Sequence, residues 1–412
     1  MFSKEIYLER RKQLKQKIQS GIVLLIGNKN TPFNCKENPY LFRQDSTFLY
    51  YTGLDKPDLA LIMDLDSGKD ILFGNAPSPD HLIWSGPELD IIDLADRTGI
   101  EEVQKYSELK SYFQTVKGAD ASIHFLPAYQ VEVCYELAGL LKVDVKELQN
   151  LKSEKLINSV VDQRSIKDEF EIKEMEYAID IAHKMHTTAM IMAMPGAHER
   201  DIKGIIEGIA SSMGGTLSYL PIVTIRGEIL HNPNYRNTLE NERFLLVDAG
   251  AESSKHYASD ITRTIPVGQK FSRMQRGVYE VVLNANLAAI DGAKPGVSFK
   301  ELHLDTAGLI CQGLKDLGIM KGDPKEAVSE GAHALFFPHG LGHQIGLDVH
   351  DMEALGEDYV GYGDETERSQ QFGLSFLRMA KKLVAGHTVT IEPGIYFIPH
   401  LISKWKSEKR FE

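Results

Sequence analysis

The spacing of apolar positions changes several times along the chain, and each change marks a structural element. Residues 4–18 mix charged and apolar side chains at helical spacing and predict an amphipathic helix. A continuous apolar run follows, Ile22–Ile26, of the kind a buried strand makes. Further strand-like runs at 59–63 and 71–73 are punctuated by Gly and Pro. Residues 1–160 therefore read as a mixed α/β domain with few convergent histidines or carboxylates. Near residue 165 the pattern changes. Ser165 followed by Asp168 has the form of a capping box, which satisfies free N–H groups of a first helical turn. Phe170, Met175, Ala178, Ile179, Ala182, Met185 and Ala189 then predict one buried helix face, ending before Pro195-Gly196. A domain boundary is expected at 155–165, leaving 161–412 as the second domain.

That second domain carries an internal echo. Ala-Met-Pro-Gly at 193–196 and Ala-Lys-Pro-Gly at 293–296 both sit between helical stretches, with an offset of 100 residues. The offset is too long for a solenoid period and points instead to a duplicated α+β unit with a site between its halves.

Composition narrows the class. A chain of 412 residues has room for two or three domains, and 42% hydrophobic with 25% charged residues is a globular mix. The formal net charge of −12 argues against nucleic-acid or anionic-membrane partners. Cys35, Cys134 and Cys311 are scattered without metal-ligand spacing and read as isolated thiols. The N-terminal stretch has no apolar signal region and no later run approaches ~20 apolar residues, so a cytoplasmic location is expected.

Four segments place metal-competent side chains where strands are expected. The run 244–247 ends abruptly in the carboxylate of Asp248. At 260–265, strand alternation puts Asp260, Thr262 and Thr264 on one face. The Gly-, Ser- and Lys-containing stretch between them reads as a hairpin that brings Asp248 and Asp260 together. The third segment holds His339 and His343 among glycines and continues through Asp348, His350 and Asp351; the fourth, 388–394, holds Glu392. Neighbouring carboxylates both ionise comfortably only with a cation between them. A set of carboxylates and one imidazole without thiolates suits Mn²⁺, Co²⁺, Fe²⁺ or Zn²⁺. Two such ions ~3.5–4 Å apart lower the pKa of a shared water and polarise a scissile carbonyl. The remaining histidines could donate to that carbonyl or carry a proton to the leaving amine. Singly, each segment favours an ordinary structural reading: Asp is a turn former, Glu392 precedes Pro-Gly, and Gly340 and Gly342 disfavour a helical His pair. No HExxH is present. Together the four segments favour a metal site.

Asp-Ala-Gly at 248–250, Ser-Asp-Ile-Thr-Arg-Thr at 259–264, His-Gly-Leu-Gly-His at 339–343 with Gly-Leu-Asp-Val-His-Asp at 346–351, and Ile-Glu-Pro-Gly at 391–394 resemble, in this order, the pita-bread metallopeptidases. These include methionine aminopeptidase, Xaa-Pro aminopeptidase (aminopeptidase P) and Xaa-Pro dipeptidase (prolidase). The resemblance implies an α+β fold in which a mixed α/β N-terminal domain precedes a duplicated catalytic domain. It implies that Asp248 chelates one metal, Asp260 bridges two, and His343 and Glu392 ligate the second. His231, in Arg-Gly-Glu-Ile-Leu-His, falls where the family keeps a substrate-binding histidine. His339 and His350 match two more that line the pocket and assist the carbonyl or the leaving group. Residues 42–53 resemble the N-terminal domain shared by aminopeptidase P and prolidase. That domain usually helps build an oligomer and can cap a neighbour's active site. Trp84 is a capping candidate, weighed against an ordinary core tryptophan, which is the reading preferred from sequence.

The expected activity is that of a Xaa-Pro aminopeptidase, with two divalent ions (Mn²⁺ first), proline-containing peptides as substrates and a homodimeric assembly. The alternatives are a prolidase and a non-catalytic binding module of the same fold. Two departures from the family pattern stand out. Asp248 and Asp260 are 12 apart, one more than usual, and the extra residue is expected at the hairpin tip near Ser253, Ser254 and Lys255. The family's fifth ligand, a glutamate in a strand after Glu-Pro-Gly, has no counterpart, since Glu408 and Glu412 lie in a charged stretch. Against the family pattern the sequence reads as truncated at its C-terminus, without that ligand and its strand. Weak or absent activity of this chain is the corresponding expectation.

Overall fold

The computed structural model describes residues 1–116, 122–363 and 366–411. Two compact units divide the chain: Met1–Arg164 with Ala354–Gly356, and the remainder from Ser165. No helix among the described residues is long and apolar enough to cross a membrane.

The first unit is built on a five-stranded sheet in the order Glu102–Lys105, Lys69–Gly74, Ala60–Asp64, Ile22–Ile26, Ile123–His124. Its three central strands pair antiparallel and the two edge strands join parallel. Ile22, Leu24, Ala60, Ile62, Ile71 and Phe73 form one face of its core with Phe113 and Leu137. The Lys4–Ile18 helix and the Ile22–Ile26 strand fall where the apolar pattern predicts them. Arg11 on that helix is fully buried because every contact it makes is matched. Its guanidinium donates to Asp70 Oδ2 (2.9 Å) and to the carbonyls of Tyr51 (2.9 Å), Thr98 (2.9 Å) and Gly99 (3.2 Å). Trp84 is 87% exposed on the Pro79–Ser85 helix, which buries no residue, so the core reading of this tryptophan is wrong.

In the second unit the Glu169–Met192 helix begins at Asp168, not Ser165. The Asp168 carboxylate accepts from the N–H groups of Phe170 and Glu171, and Glu171 reaches back to the Asp168 N–H, a closed capping box. Ser165 instead ends the preceding helix, Glu154–Ser165. Of the predicted buried face, Met175, Ala178, Ala182, Met185 and Ala189 are buried, whereas Phe170 and Ile179 are 42% and 47% exposed. Ile181 and His186 take the buried positions, because a 3.6-residue period carries 170 and 179 off the stripe.

The Pro-Gly echo marks a real repeat. Each half packs a pair of helices: Glu169–Met192 with Glu199–Ser212, and Arg273–Gly292 with Phe299–Asp316. Gly196 and Gly296 both take φ +90°, the left-handed conformation that glycine adopts without a Cβ clash. Gly196 N–H donates to Leu239 O (2.9 Å) as Gly296 N–H does to Leu383 O (2.8 Å). The return bonds also match, with Leu239 N–H to Ala197 O and Leu383 N–H to Val297 O both 2.8 Å.

The first helix pair covers a three-stranded antiparallel sheet, Ile261–Pro266, Phe244–Ala249 and Ile222–Thr224. Leu245, Val247, Ala249 and Ile265 face the helices, leaving the other face for Asp248 and its neighbours. In the second half the corresponding chain segments are extended but form no named strand. Residues 341–345 and 388–392 run antiparallel through Glu392 N–H to Leu341 O (2.8 Å), Thr390 N–H to His343 O (2.9 Å) and Ile345 N–H to Thr388 O (3.2 Å). They cover an apolar core of Phe299, Ile310, Phe337, Leu341 and Met379.

Candidate active site

The hairpin between the two aspartates decides whether their side chains meet. Asp248 pairs with Thr262 and Glu252 bridges to Ala258 in one unbroken register, so the irregularity is confined to the tip. There Ser253 N–H donates to Tyr257 O (2.9 Å) and His256 takes φ +67°. The twelfth residue therefore lies in the turn, and Asp260 shares a face with Asp248 across the diagonal of the ladder. Gly250 is fixed by the same hairpin, because a Cβ there would lie 1.8 Å from Ser259 O.

Across from this pair come His343 and Glu392. His343 Nε2 lies 3.3 Å from both Asp260 Oδ2 and Glu392 Oε1, and one ligand atom from each of the three falls within 4.8 Å of the others. The imidazole is oriented from behind. Its Nδ1–H donates to Gln344 O (2.9 Å), which leaves Nε2 as the ligating nitrogen. Thr390 Oγ1 accepts from the His343 N–H (3.0 Å) and donates to Glu392 Oε1 (2.8 Å), tying the two ligand segments together. Gly342 lets them approach, since a Cβ would sit 2.1 Å from Thr390 O.

Asp248 joins through Tyr219, whose hydroxyl lies 2.5 Å from Asp248 Oδ1 and 2.8 Å from Asp260 Oδ1. One hydroxyl proton serves two carboxylates, so full ionisation of both leaves a charge uncompensated. Burial, then the Asp260 charge, pushes the Asp248 carboxyl up to about 7, while the Tyr219 hydrogen bond opposes the shift. Burial pulls His343 down, but its contacts with Asp260 and Glu392 outweigh it and carry the imidazole up to about 10. Glu392 is likewise held below the usual carboxylate range by His343 against the opposing pull of burial. Four groups that need a positive charge among them fit a divalent cation. Tyr219→Phe removes the donor shared by both aspartates and is expected to weaken divalent-ion affinity about 10–100-fold. Titration calorimetry giving a wild-type affinity for that variant would exclude this role.

The three other histidines stand around this group. His339 is held in the neutral form chiefly by burial, with His231 adding to the shift and the Glu392 charge opposing it. Its Nδ1 faces Gly340 O at 2.8 Å, so Nδ1 carries the proton and Nε2 accepts from the Tyr396 hydroxyl at 3.1 Å. The His350 ring packs on His343 with centroids 4.1 Å apart, and its Nδ1 lies 3.1 Å from Glu353 Oε2. Glu353 is itself paired with Arg378. His231 is exposed, on the segment that follows the Ile222–Thr224 strand. The structure thus brings Asp248, Asp260, His343, Glu392, His339 and His350 to one place, with His231 electrostatically coupled to it. Beyond Glu392 the chain forms the Pro399–Ser407 helix; Glu408 stands at its C-cap and Glu412 lies outside the described residues.

Tyr219, Tyr396 and the linking role of Thr390 escape sequence reasoning. A tyrosine hydroxyl has no characteristic spacing, and both tyrosines lie in apolar surroundings that read as ordinary packing. Thr390 is visible only as a residue on the same face as Glu392.

Comparisons with known proteins bear on both units. The family described as Metallopeptidase family M24 matches residues 173–412, and Aminopeptidase P, N-terminal domain, matches residues 7–124. A probable Xaa-Pro aminopeptidase of Metarhizium acridum is 31% identical over 390 residues, 94% of this chain and 74% of the fungal protein. A second, from Neosartorya fischeri, is 31% identical over 397 residues, covering 93% and 81%. Among solved structures, zinc-substituted E. coli aminopeptidase P in complex with product gives a TM-score of 0.81 at 28% identity, over 96% of this chain and 88% of that one. Pseudomonas aeruginosa aminopeptidase PepP gives 0.82 at 27% identity, over 96% and 87%.

Proposed function

This chain belongs to metallopeptidase family M24 and, with its N-terminal domain, to the aminopeptidase P family; from that premise we propose that it hydrolyses the bond between an N-terminal residue and a following proline. It is a metallo-aminopeptidase, and its substrates are peptides. The observation that carries metal-dependent hydrolysis is the convergence of Asp260, His343 and Glu392 within 4.8 Å, with Asp248 tied in through Tyr219. The proline preference is supported by the Xaa-Pro aminopeptidase relatives.

Asp248, Asp260, His343 and Glu392 would hold two divalent ions, Mn²⁺ foremost on this oxygen-rich donor set, with Co²⁺, Fe²⁺ or Zn²⁺ as alternatives. Bound there, such ions supply Lewis acidity toward the scissile carbonyl and an activated water at neutral pH. The chain's own residues do the rest. His231, exposed beside the site, contacts the substrate. His339, neutral and fixed by Gly340 O and Tyr396, lines the pocket around the scissile carbonyl. His350, with Nδ1 turned to Glu353, would pass a proton to the leaving proline nitrogen through its other ring nitrogen. A homodimer is the assembly we favour. The exposed Leu82, Ile83 and Trp84 of the Pro79–Ser85 helix support it as an apolar surface suited to a second copy.

Hydrolysis of Ala-Pro-Ala against Ala-Pro, with Ala-Ala-Ala as control, tests the specificity. Release of alanine from Ala-Pro-Ala at a rate at least about tenfold above Ala-Ala-Ala is expected, a discrimination of ~1.4 kcal/mol. Cleavage of Ala-Pro alone would make the enzyme a dipeptidase. Equal cleavage of both tripeptides would remove proline from the reading.

A further inference from the structure

We propose that Glu199 is a positioning residue for His231: its buried carboxylate closes the base of the loop that presents this histidine to the substrate. The proposal rests on the reading of His231 as a substrate contact and adds the device that holds it.

Glu199 opens the Glu199–Ser212 helix and is 0% exposed. Its Oε1 accepts from the Ile225 N–H at 2.8 Å, and its Oε2 from the Asn237 N–H at 3.0 Å. The Asn237 side-chain amide also donates to both oxygens, at 3.0 and 2.9 Å. Residue 237 is held from the other direction as well, because the Glu199 N–H donates to Asn237 O (3.1 Å). Ile225 and Asn237 are the two ends of the segment that has His231 between them, so one carboxylate joins both ends. Inside the loop a second tie lies next to the histidine. Asn232, buried, donates from Nδ2 to Thr224 Oγ1 at 3.0 Å, and the same oxygen accepts from the Arg226 N–H at 3.0 Å. His231 thus stays exposed while the chain around it is anchored.

The repeat shows that the fold itself does not require a carboxylate here. In the second half the position of Glu199 is taken by Phe299, which opens the Phe299–Asp316 helix and is fully buried in an apolar core. Its backbone makes the matching bond, Phe299 N–H to Lys381 O at 3.1 Å. The same backbone geometry is therefore compatible with a phenyl ring. A buried carboxylate is costly unless its oxygens are saturated with donors. At position 199 those donors come from Ile225 and Asn237, the two ends of the His231 loop.

The test uses the full, metal-loaded chain. Glu199→Gln preserves size but offers one acceptor oxygen, so one end of the loop is released. Asn237→Ala, which removes only the side-chain donor, is the milder variant should the first fail to fold. Two readouts are taken: hydrogen exchange of amides 226–236, with the Phe244–Ala249 strand as internal control, and KM and kcat on Ala-Pro-Ala. Faster exchange confined to the loop is expected, together with KM raised on the order of tenfold and a smaller change in kcat. In a His231→Ala background, Glu199→Gln should add little, because the group it positions is gone. Unchanged loop exchange, or an equal loss with and without His231, would overturn the proposal. If the wild-type chain cleaves no proline peptide, the functional reading fails, and the exchange measurement still decides whether Glu199 holds the loop.

Discussion

Asp260→Asn is expected to lower kcat/KM on Ala-Pro-Ala by about a thousandfold or more while leaving the fold intact. The wild-type carboxylate meets Tyr219 through Oδ1 and His343 through Oδ2. Asparagine keeps the shape but carries no charge, and its NH₂ replaces one of those acceptors. A Lewis acid contributes several kcal/mol of transition-state stabilisation, and each 1.36 kcal/mol is tenfold in rate, so displacing the ions costs roughly three powers of ten. Metal content by plasma mass spectrometry should fall in parallel. Full metal content with near-normal turnover would remove Asp260 from the ligand set.

Chelation is expected to abolish activity, and Mn²⁺ should restore it together with a rise in the unfolding midpoint. A ligand at about 100 times its Kd stabilises the native state by ~2.7 kcal/mol. The pH dependence has a definite sign. In the metal-free protein the Asp248 carboxyl lies at about 7 and His343 at about 10, both above their ordinary values. Through these two groups the native state holds extra protons between pH ~4 and ~10, and their contribution to metal-free stability falls as pH rises through that window. Divalent ions compete with these protons, so the midpoint gain on adding Mn²⁺ should grow with pH. Thermal scans at pH 5, 7 and 9 with and without Mn²⁺ measure it. A gain that shrank toward pH 9, or activity that survived chelation, would contradict the four-ligand site.

Much of this was legible from residue order. The Lys4–Ile18 helix and the Ile22–Ile26 strand announce themselves by period, and the Pro-Gly echo was worth more than a common helix break because the repeat it marks is real. The Asp pair could be placed side by side because strand alternation fixes which face each carboxylate takes. What stayed hidden has several causes. Steps of three to five residues were too loose a test of the helix face: a strict 3.6-residue period already turns Phe170 and Ile179 off the buried stripe. Asp168 outcompeted Ser165 as the cap because Glu171 lies at the reciprocal position, three residues on, where it can close the box. Strand-like composition at 388–392 yields only an extended segment bridged to 341–345. Tyr219 reaches Asp260 across 41 positions of chain, a relation no local pattern encodes.

The way the ligands are shared between the two halves also sets when an ion can be captured during synthesis. Tyr219 and the hairpin aspartates can close on one another as soon as the first half has emerged, their separations being 29 and 41 residues. Glu392 and the Thr390 contact that fixes His343 must await another 132 residues, from 260 to 392. At about 5–20 residues per second that interval lasts roughly 7–26 s. Until residue 343, 83 residues on, the nascent chain holds the paired aspartates without their imidazole partner, and tight metal capture waits for Glu392.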